Sequence, residues 1–264
     1  MKQSLATVRK RQQRILDYFE NETNLGVTDL SQRLGVSELT IRRDYTYLES
    51  KGLVKRYHGG AQRVENANQG IVNYDDKHTQ NLATKKKIAQ AVISYIKDND
   101  TVFINGGTTT MEVIKLLTNK EITIVTNHVA AFTFFNQSKA KLFCSGGEYN
   151  PVTKSYSGPL ATCFLDKMIA NVCILGVNGI TMQEGITTAY FQETLVNEEF
   201  INRTNGLVVV VADGSKVGKT FGFNTATIDR VDIIVTDSSA DKDELERLQT
   251  RGVKIILVDD QSPK

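Results

Sequence analysis

The sequence predicts a chain of mixed α/β class in two parts: a small helical module in front and a larger domain with a mostly parallel sheet behind it. Two observations carry this. Seven short runs rich in β-branched residues, at 101–105, 122–127, 141–146, 172–178, 206–213, 232–237 and 254–260, are separated by stretches of helical period such as 82–97 and 242–252. Strands that are apolar throughout and alternate with helices belong to a parallel sheet covered on both faces. The charge is also uneven: residues 1–60 hold 11 Lys+Arg against 7 Asp+Glu, the remainder 21 against 23, so the net charge of +2 hides a basic front end. Such asymmetry points to an anionic macromolecular partner for that end.

Three segments of the front module have helical period: 11–21, with Ile15, Leu16 and Phe19 on one face; 28–34, with Thr28 as its expected N-cap; and 37–50. Between the second and third lies Leu34-Gly35-Val36-Ser37. Gly35 supplies the positive φ of a tight corner, Val36 can plug the core, and Ser37 can cap the third helix. This is the layout of a helix-turn-helix, although helical hairpins without a nucleic-acid role share the same corner. In the third helix Ile41, Tyr45 and Leu48 form the buried stripe, leaving Thr40, Arg43 and Tyr47 outward with Arg42 and Thr46 beside them. An arginine fork can donate two hydrogen bonds to guanine O6 and N7 or clamp a phosphate, and the hydroxyls of Ser37 and Thr40 suit phosphate or base edges. Asp44 would repel phosphate and is expected to serve the fold or orient an arginine. Residues 51–64 read as a glycine stop, a short strand, a Gly59-Gly60 turn and a second strand at 62–64, which makes a wing; Arg56 and His58 share one of its faces.

From residue 61 to about 81 the periodicity fades into Asn, Gln, Asp and Gly, the composition of a connector. The expected boundaries are therefore 1–64 for a DNA-binding domain, 65–81 for a linker and 82–264 for a sensing domain. In the sensing domain Asn105-Gly106-Gly107-Thr108-Thr109-Thr110 follows the first strand and opens a helix, so backbone N–H groups, a helix N-terminus and three hydroxyls converge. That chemistry suits an anion, phosphate above all. Ser145-Gly146-Gly147, Gly176-Val177-Asn178 and Asp213-Gly214-Ser215-Lys216 end later strands, and in a parallel sheet these ends line the edge where ligands bind. Lys216 would place an ammonium there. The Lys85-Lys86-Lys87 run reads as a solvated helix face.

The composition, 40% hydrophobic and 23% charged with 3 Pro in 264 residues, excludes collagen-like and disordered classes. Three cysteines without a CxxC spacing are expected as buried thiols in a reducing compartment, and three scattered histidines lack metal-ligand spacing. No metal and no cofactor is expected. No apolar run nears the roughly 20 residues of a membrane span. The protein is expected in the cytoplasm.

The run 37–44 (Ser-Glu-Leu-Thr-Ile-Arg-Arg-Asp), Leu48-Glu49, Gly52 and Arg56-Tyr57-His58-Gly59-Gly60-Ala61 resemble the N-terminal signature of the DeoR family of bacterial transcriptional regulators. Over most of residues 75–260 the chain also resembles that family's sensor domain, through 106–110, Val125-Thr126-Asn127, 145–147, 176–180 and 213–216. The resemblance implies a winged helix reading double-stranded operator DNA with its third helix, and a sensor similar in fold to ribose-5-phosphate isomerase and CoA transferases. It implies a phosphorylated sugar or related metabolite as effector, and usually a repressor of a sugar, polyol or nucleoside operon. Tyr45 stands where the family usually has leucine, and Asn105 and Asn178 stand where it often has aspartate. An amide can hold a sugar hydroxyl but cannot act as a general base near neutral pH.

The expected function is thus a ligand-controlled transcription regulator rather than an enzyme, self-associating because one reading head buries limited surface. The alternatives are a sugar-phosphate isomerase-like enzyme with a DNA-binding tether, disfavoured by the lack of paired acids in the candidate pocket, and a constitutive DNA-binding protein whose back domain oligomerises.

Overall fold

The structure is a computed structural model describing residues 22–50, 54–57, 59–63, 74 and 79–258, together with 8, 11, 12, 14–16, 18 and 19. The chain forms two compact units, Met1–Gly70 and Ile71–Lys264. Of the expected connector, residues 65–73 and 75–78 lie outside the described residues, as does His58.

In the first unit, α1 comprises the described helical residues 8, 11, 12, 14–16, 18 and 19 and buries Ile15 and Phe19, with Leu16 half-buried. It is followed by β1 (Asn24–Gly26), α2 (Val27–Leu34), α3 (Glu38–Ser50), β2 (Val54–Tyr57) and β3 (Gly60–Arg63). The strands form an antiparallel sheet in the order β1-β3-β2. The sequence predicts a two-stranded wing; β1 is an added strand, three residues without an apolar run. It also displaces the expected cap. Because β1 runs straight into α2, the helix starts at Val27 with Gly26 before it and no side-chain cap. Val27 N–H instead donates to Gly59 O at 2.8 Å, and the Thr28 hydroxyl donates to Glu38 Oε1 at 2.7 Å. Gly35 ends α2 at φ 65°, its N–H bonded to Gln32 O and that of Val36 to Ser31 O, which turns the chain into α3. Val36 itself is only half-buried. Ser37 does cap α3, accepting from Thr40 N–H at 3.3 Å.

In the second unit seven parallel strands, β4 (Thr101–Ile104), β5 (Thr123–Thr126), β6 (Lys141–Cys144), β9 (Ala170–Gly176), β12 (Thr204–Val211), β14 (Ile233–Asp237) and β15 (Lys254–Val258), lie in the order β15-β14-β12-β9-β4-β5-β6. All six pairings are parallel. These are the seven runs legible in the sequence. The five inner strands bury both faces, whereas edge strands β6 and β15 are only partly covered: Val102 and Ile104 join one core with Val209 and Val211, while Phe103, Cys173, Leu175, Val208 and Val210 point into the other. The first core is closed by α4 (Leu82–Val92) and α5 (Thr108–Leu117), the second by α6 (Pro159–Leu165), α7 (Phe191–Asn202) and α8 (Lys242–Thr250). A hairpin β7 (Glu148–Asn150)/β8 (Ser155–Ser157) and a small antiparallel sheet β10 (Gly179–Thr181)-β11 (Gly185–Thr188)-β13 (Phe223–Ala226) complete the unit. Neither was foreseen, since three- and four-residue polar strands carry no apolar run.

The chain enters the sheet at β4, builds outward to β6, and returns beside β4 at β9 before building the other way. The strand order therefore reverses between β4 and β9, and the crevice at the carboxyl ends of such strands is where α/β sheets bind ligands. Among the described residues no helix is long and apolar enough to cross a membrane. The thiols are free, but only Cys173 is fully buried; Cys144 is half-buried on edge strand β6 and Cys163 is exposed on short helix α6. That corrects the expectation of buried thiols.

Candidate nucleic-acid interface and ligand cavity

The register of α3 sorts its side chains as the period predicts. Ile41, Tyr45 and Leu48 are buried, and Asp44 is buried with them, 2% exposed. Asp44 accepts from Arg11 Nε at 2.5 Å, Arg11 Nη2 at 3.1 Å and Gln12 Nε2 at 3.0 Å, so it pins α3 to α1. The Tyr45 hydroxyl donates to Leu25 O at 2.9 Å, and burial pushes its phenol above the usual tyrosine range. A leucine could not make this bond to β1. Ser37, Arg42, Arg43, Thr46 and Tyr47 are exposed and Thr40 half-buried, so one solvent-facing surface gathers the predicted reading residues. Their engagement differs. Arg42 lies 3.6 Å from Glu38, and Ser37 and Thr40 share a hydrogen bond of 2.9 Å. Arg56 is docked onto α3 through Thr46 Oγ1 at 2.5 Å and, by its backbone N–H, Glu49 Oε1 at 2.9 Å, which holds the wing against the helix. Arg43 makes no ion pair or hydrogen bond among the described residues.

In the second unit, Asn105, Gly106, Gly107, Thr108, Thr109, Asn178 and Lys216 line one open cavity of about 100 Å³. It lies at the reversal point. The N-terminus of α5 has no side-chain cap, leaving its first backbone N–H groups toward the cavity. The Gly106 N–H is not among the open donors, because Asn127 Oδ1 accepts it at 2.7 Å. The walls also include Asp213 and Ser215 from the turn expected at the strand edge, and Tyr74, Asn81, Lys85, Thr187, Thr188, Tyr190, Glu193 and Asn197, which no local motif points to.

Four earlier expectations change here. Asn105 lines the cavity but its amide is committed: Nδ2 donates to Gly176 O (2.9 Å) and Asn197 Oδ1 (3.1 Å), while Oδ1 accepts from Gly176 N–H (2.8 Å). It fastens β4 to β9, a double role that a carboxylate, without a donor, could not fill. Thr110 is fully buried and donates to Asn105 O and Gly107 O, so it holds the loop from beneath. Ser145, Gly146 and Gly147 do not line the cavity. They end β6, two strands and roughly 10 Å across the sheet from β4, where Gly147 packs against Ser157 and Ala161. Finally, Lys85 is not solvated. It is 3% exposed and lines the cavity, whereas Lys86 is exposed. A signal was present: Lys85, Ile88, Ala89 and Val92 fall at i, i+3, i+4 and i+7, which puts the lysine on the buried stripe of α4.

Two carboxylates stand in the wall, Asp213 from the turn expected there and Glu193 from α7. Asp213 accepts from Ser215 N–H at 3.2 Å, the Ser215 hydroxyl and Asn81 Nδ2 at 3.4 Å, and Glu193 accepts from the Thr188 hydroxyl at 2.9 Å. Asn178 Oδ1 accepts from that same hydroxyl at 2.9 Å. Lys216, half-buried, makes no ion pair or hydrogen bond through Nζ among the described residues. The cavity therefore sets two lysines, two carboxylates and the uncapped N-terminus of α5 among hydroxyl and amide groups.

Fold and sites together define a DNA-binding transcription regulator with a sensor domain. The chain belongs to the DeoR family: residues 11–67 match the DeoR-like helix-turn-helix domain and residues 80–238 the DeoR C-terminal sensor domain. It is 32% identical to the HTH-type transcriptional regulator GlpR of Haloferax volcanii, over 94% of this chain and 96% of that protein. It is 32% identical to the transcriptional repressor AccR of Agrobacterium fabrum, over 86% and 89%, and 27% identical to the lactose phosphotransferase system repressor of Streptococcus mutans, over 90% and 95%. A solved ribose-5-phosphate isomerase from Methanocaldococcus jannaschii aligns at 17% identity and a TM-score of 0.38, covering 52% of this chain and 55% of that one.

Proposed function

We infer that the protein is a cytoplasmic repressor of an operon for a sugar, polyol or nucleoside, that it binds operator DNA through the exposed face of α3 as at least a dimer, and that a phosphorylated sugar bound in the sensor cavity sets its affinity for that DNA. The observation that carries this reading is the cavity itself. It joins an uncapped helix N-terminus, Lys85 and Lys216 to a wall of Thr, Asn and carboxylate groups. The cations and open N–H groups suit a phosphate dianion, and the acceptors suit several hydroxyls. Ser37, Thr40, Arg42, Arg43, Thr46, Tyr47 and Arg56 supply the DNA contacts. The repressors among the relatives point the same way.

Glu193 and Asp213, each lining the cavity, are the groups a second reading, an isomerase acting on the same class of ligand, would use, since carboxylates commonly move protons. One assay separates the two. The protein is incubated with ribose 5-phosphate and a panel of other sugar phosphates, and both melting and product are followed. A raised melting temperature with no product supports the sensor; turnover supports the enzyme; no response to any phosphate overturns the cavity assignment.

A further inference from the structure

An apolar side chain stands on the face of α3 otherwise given over to cations and hydroxyls. Leu39, in the first turn, is 59% exposed. Its neighbours at i+3, i+4 and i+7 are Arg42, Arg43 and Thr46, all exposed, while the core stripe runs through Ile41, Asp44, Tyr45 and Leu48 on the opposite side. Leu39 thus contributes nothing to the core. It sits at the helix end that, in a helix-turn-helix, contacts base edges.

The major groove offers one apolar group to such a side chain, the C5 methyl of thymine, and only thymine carries it. We propose that Leu39 is a specificity-determining residue that packs on a thymine methyl, adjacent to a guanine held by Arg43. The proposal rests on α3 being the base-reading helix. Arg43 fits the second half of the pair because its guanidinium is uncommitted among the described residues, whereas Arg42 lies against Glu38 and Arg56 is tied to Thr46. Four residues of helix span about 6 Å along its axis. At about 3.4 Å per base step, the thymine and the guanine lie about two base pairs apart. The two arginines beside Leu39 make the surface complementary to a polyanion, which commits this apolar spot to DNA rather than to a neutral protein surface.

The test uses the full chain and a duplex that it enriches from a random double-stranded pool. Each thymine in turn is replaced by deoxyuridine, which lacks only the methyl group. At one position per half-site, about two base pairs from a guanine, wild type loses about fourfold in affinity, the factor for one buried methyl-sized group. Leu39→Ala binds the thymine duplex about fourfold more weakly and is indifferent to deoxyuridine there, while Leu39→Met retains the preference. If every replacement costs wild type and Leu39→Ala equally, the proposal is overturned. Arg43→Ala separates the two levels of inference. Loss of the enriched sequence in this variant, combined with equal deoxyuridine costs, removes Leu39 alone; retention of the enriched sequence, or no enrichment by wild type, removes α3 as the reading helix.

Discussion

Asp44 illustrates how a single residue in a reading helix can belong to the fold. Its carboxylate is 2% exposed and its main partner, Arg11, is 10% exposed at the side chain, so removing one partner strands a charge out of water. Asp44→Ala is expected to destabilise the Met1–Gly70 unit by about 3 kcal/mol, the usual cost of breaking a buried pair from one side; a urea titration that follows this unit's transition measures it. Tyr45 provides a pH signature. Its folded-state pKa is raised by burial, so its contribution to stability is complete below the ordinary tyrosine value of about 10 and declines as pH rises above that value, where the unfolded chain releases the proton first. Melting of the first unit should therefore fall more steeply between about pH 10 and 11 in wild type than in Tyr45→Phe. At neutral pH the same substitution should cost about 1 kcal/mol through the lost bond to Leu25. A pH dependence identical in the two proteins would refute the assignment.

At the scale of elements, α4 shows what periodicity reveals when it is followed through. A run of three lysines suggests solvent, yet only the first lies at the helical offset of Ile88, Ala89 and Val92 and so turns inward to the cavity. Lys85→Met keeps the volume and removes the ammonium. It should weaken sugar-phosphate binding about tenfold or more, in keeping with a charge-assisted hydrogen bond, whereas Lys86→Met on the exposed face should change binding by less than about twofold. Calorimetric titration of both variants checks this, and equal effects would return Lys85 to a purely structural role. The loop after β4 makes a related point. Its glycines and threonines were legible as an anion cradle, but Gly106 N–H is held by Asn127 and Thr110 braces the loop from below, so fewer of its groups face the cavity than the motif suggested. Gly106 is glycine for a packing reason, since a Cβ there would stand 2.9 Å from that of Ser155. Hydrogen bonds between distant segments are invisible to a local pattern.

For the whole molecule, thermodynamic linkage governs the predictions. A sugar phosphate at a hundred times its Kd should stabilise the Ile71–Lys264 unit by about 2.7 kcal/mol. If that ligand sets operator affinity, the coupling should lie in the range of about 1–3 kcal/mol, or 5–150-fold. The duplex must then change affinity for the sugar phosphate by the same factor. Measuring each Kd with and without the other ligand tests this directly; two unequal factors would mean that the linkage is not at equilibrium between these sites, and two factors of one would mean no regulation.

The seven sheet strands, the three front helices with their buried stripe, and the glycine-hydroxyl turns were readable from the order of residues because each depends on neighbours within a few positions. The front helices announced themselves by a period of about 3.6 residues, and the covered strands by unbroken apolar runs. Strand order is different. Whether the turn after β6 reaches the crevice depends on which strands are neighbours, and no local pattern encodes that. Chain reversal beside β4 brought 105–109, 176–178, 212, 213, 215 and 216 together with Tyr74, Asn81 and Lys85, and left 145–147 two strands away. Side-chain spacing along a chain is fixed by covalent geometry, whereas proximity across a sheet is settled by how the finished layers pack.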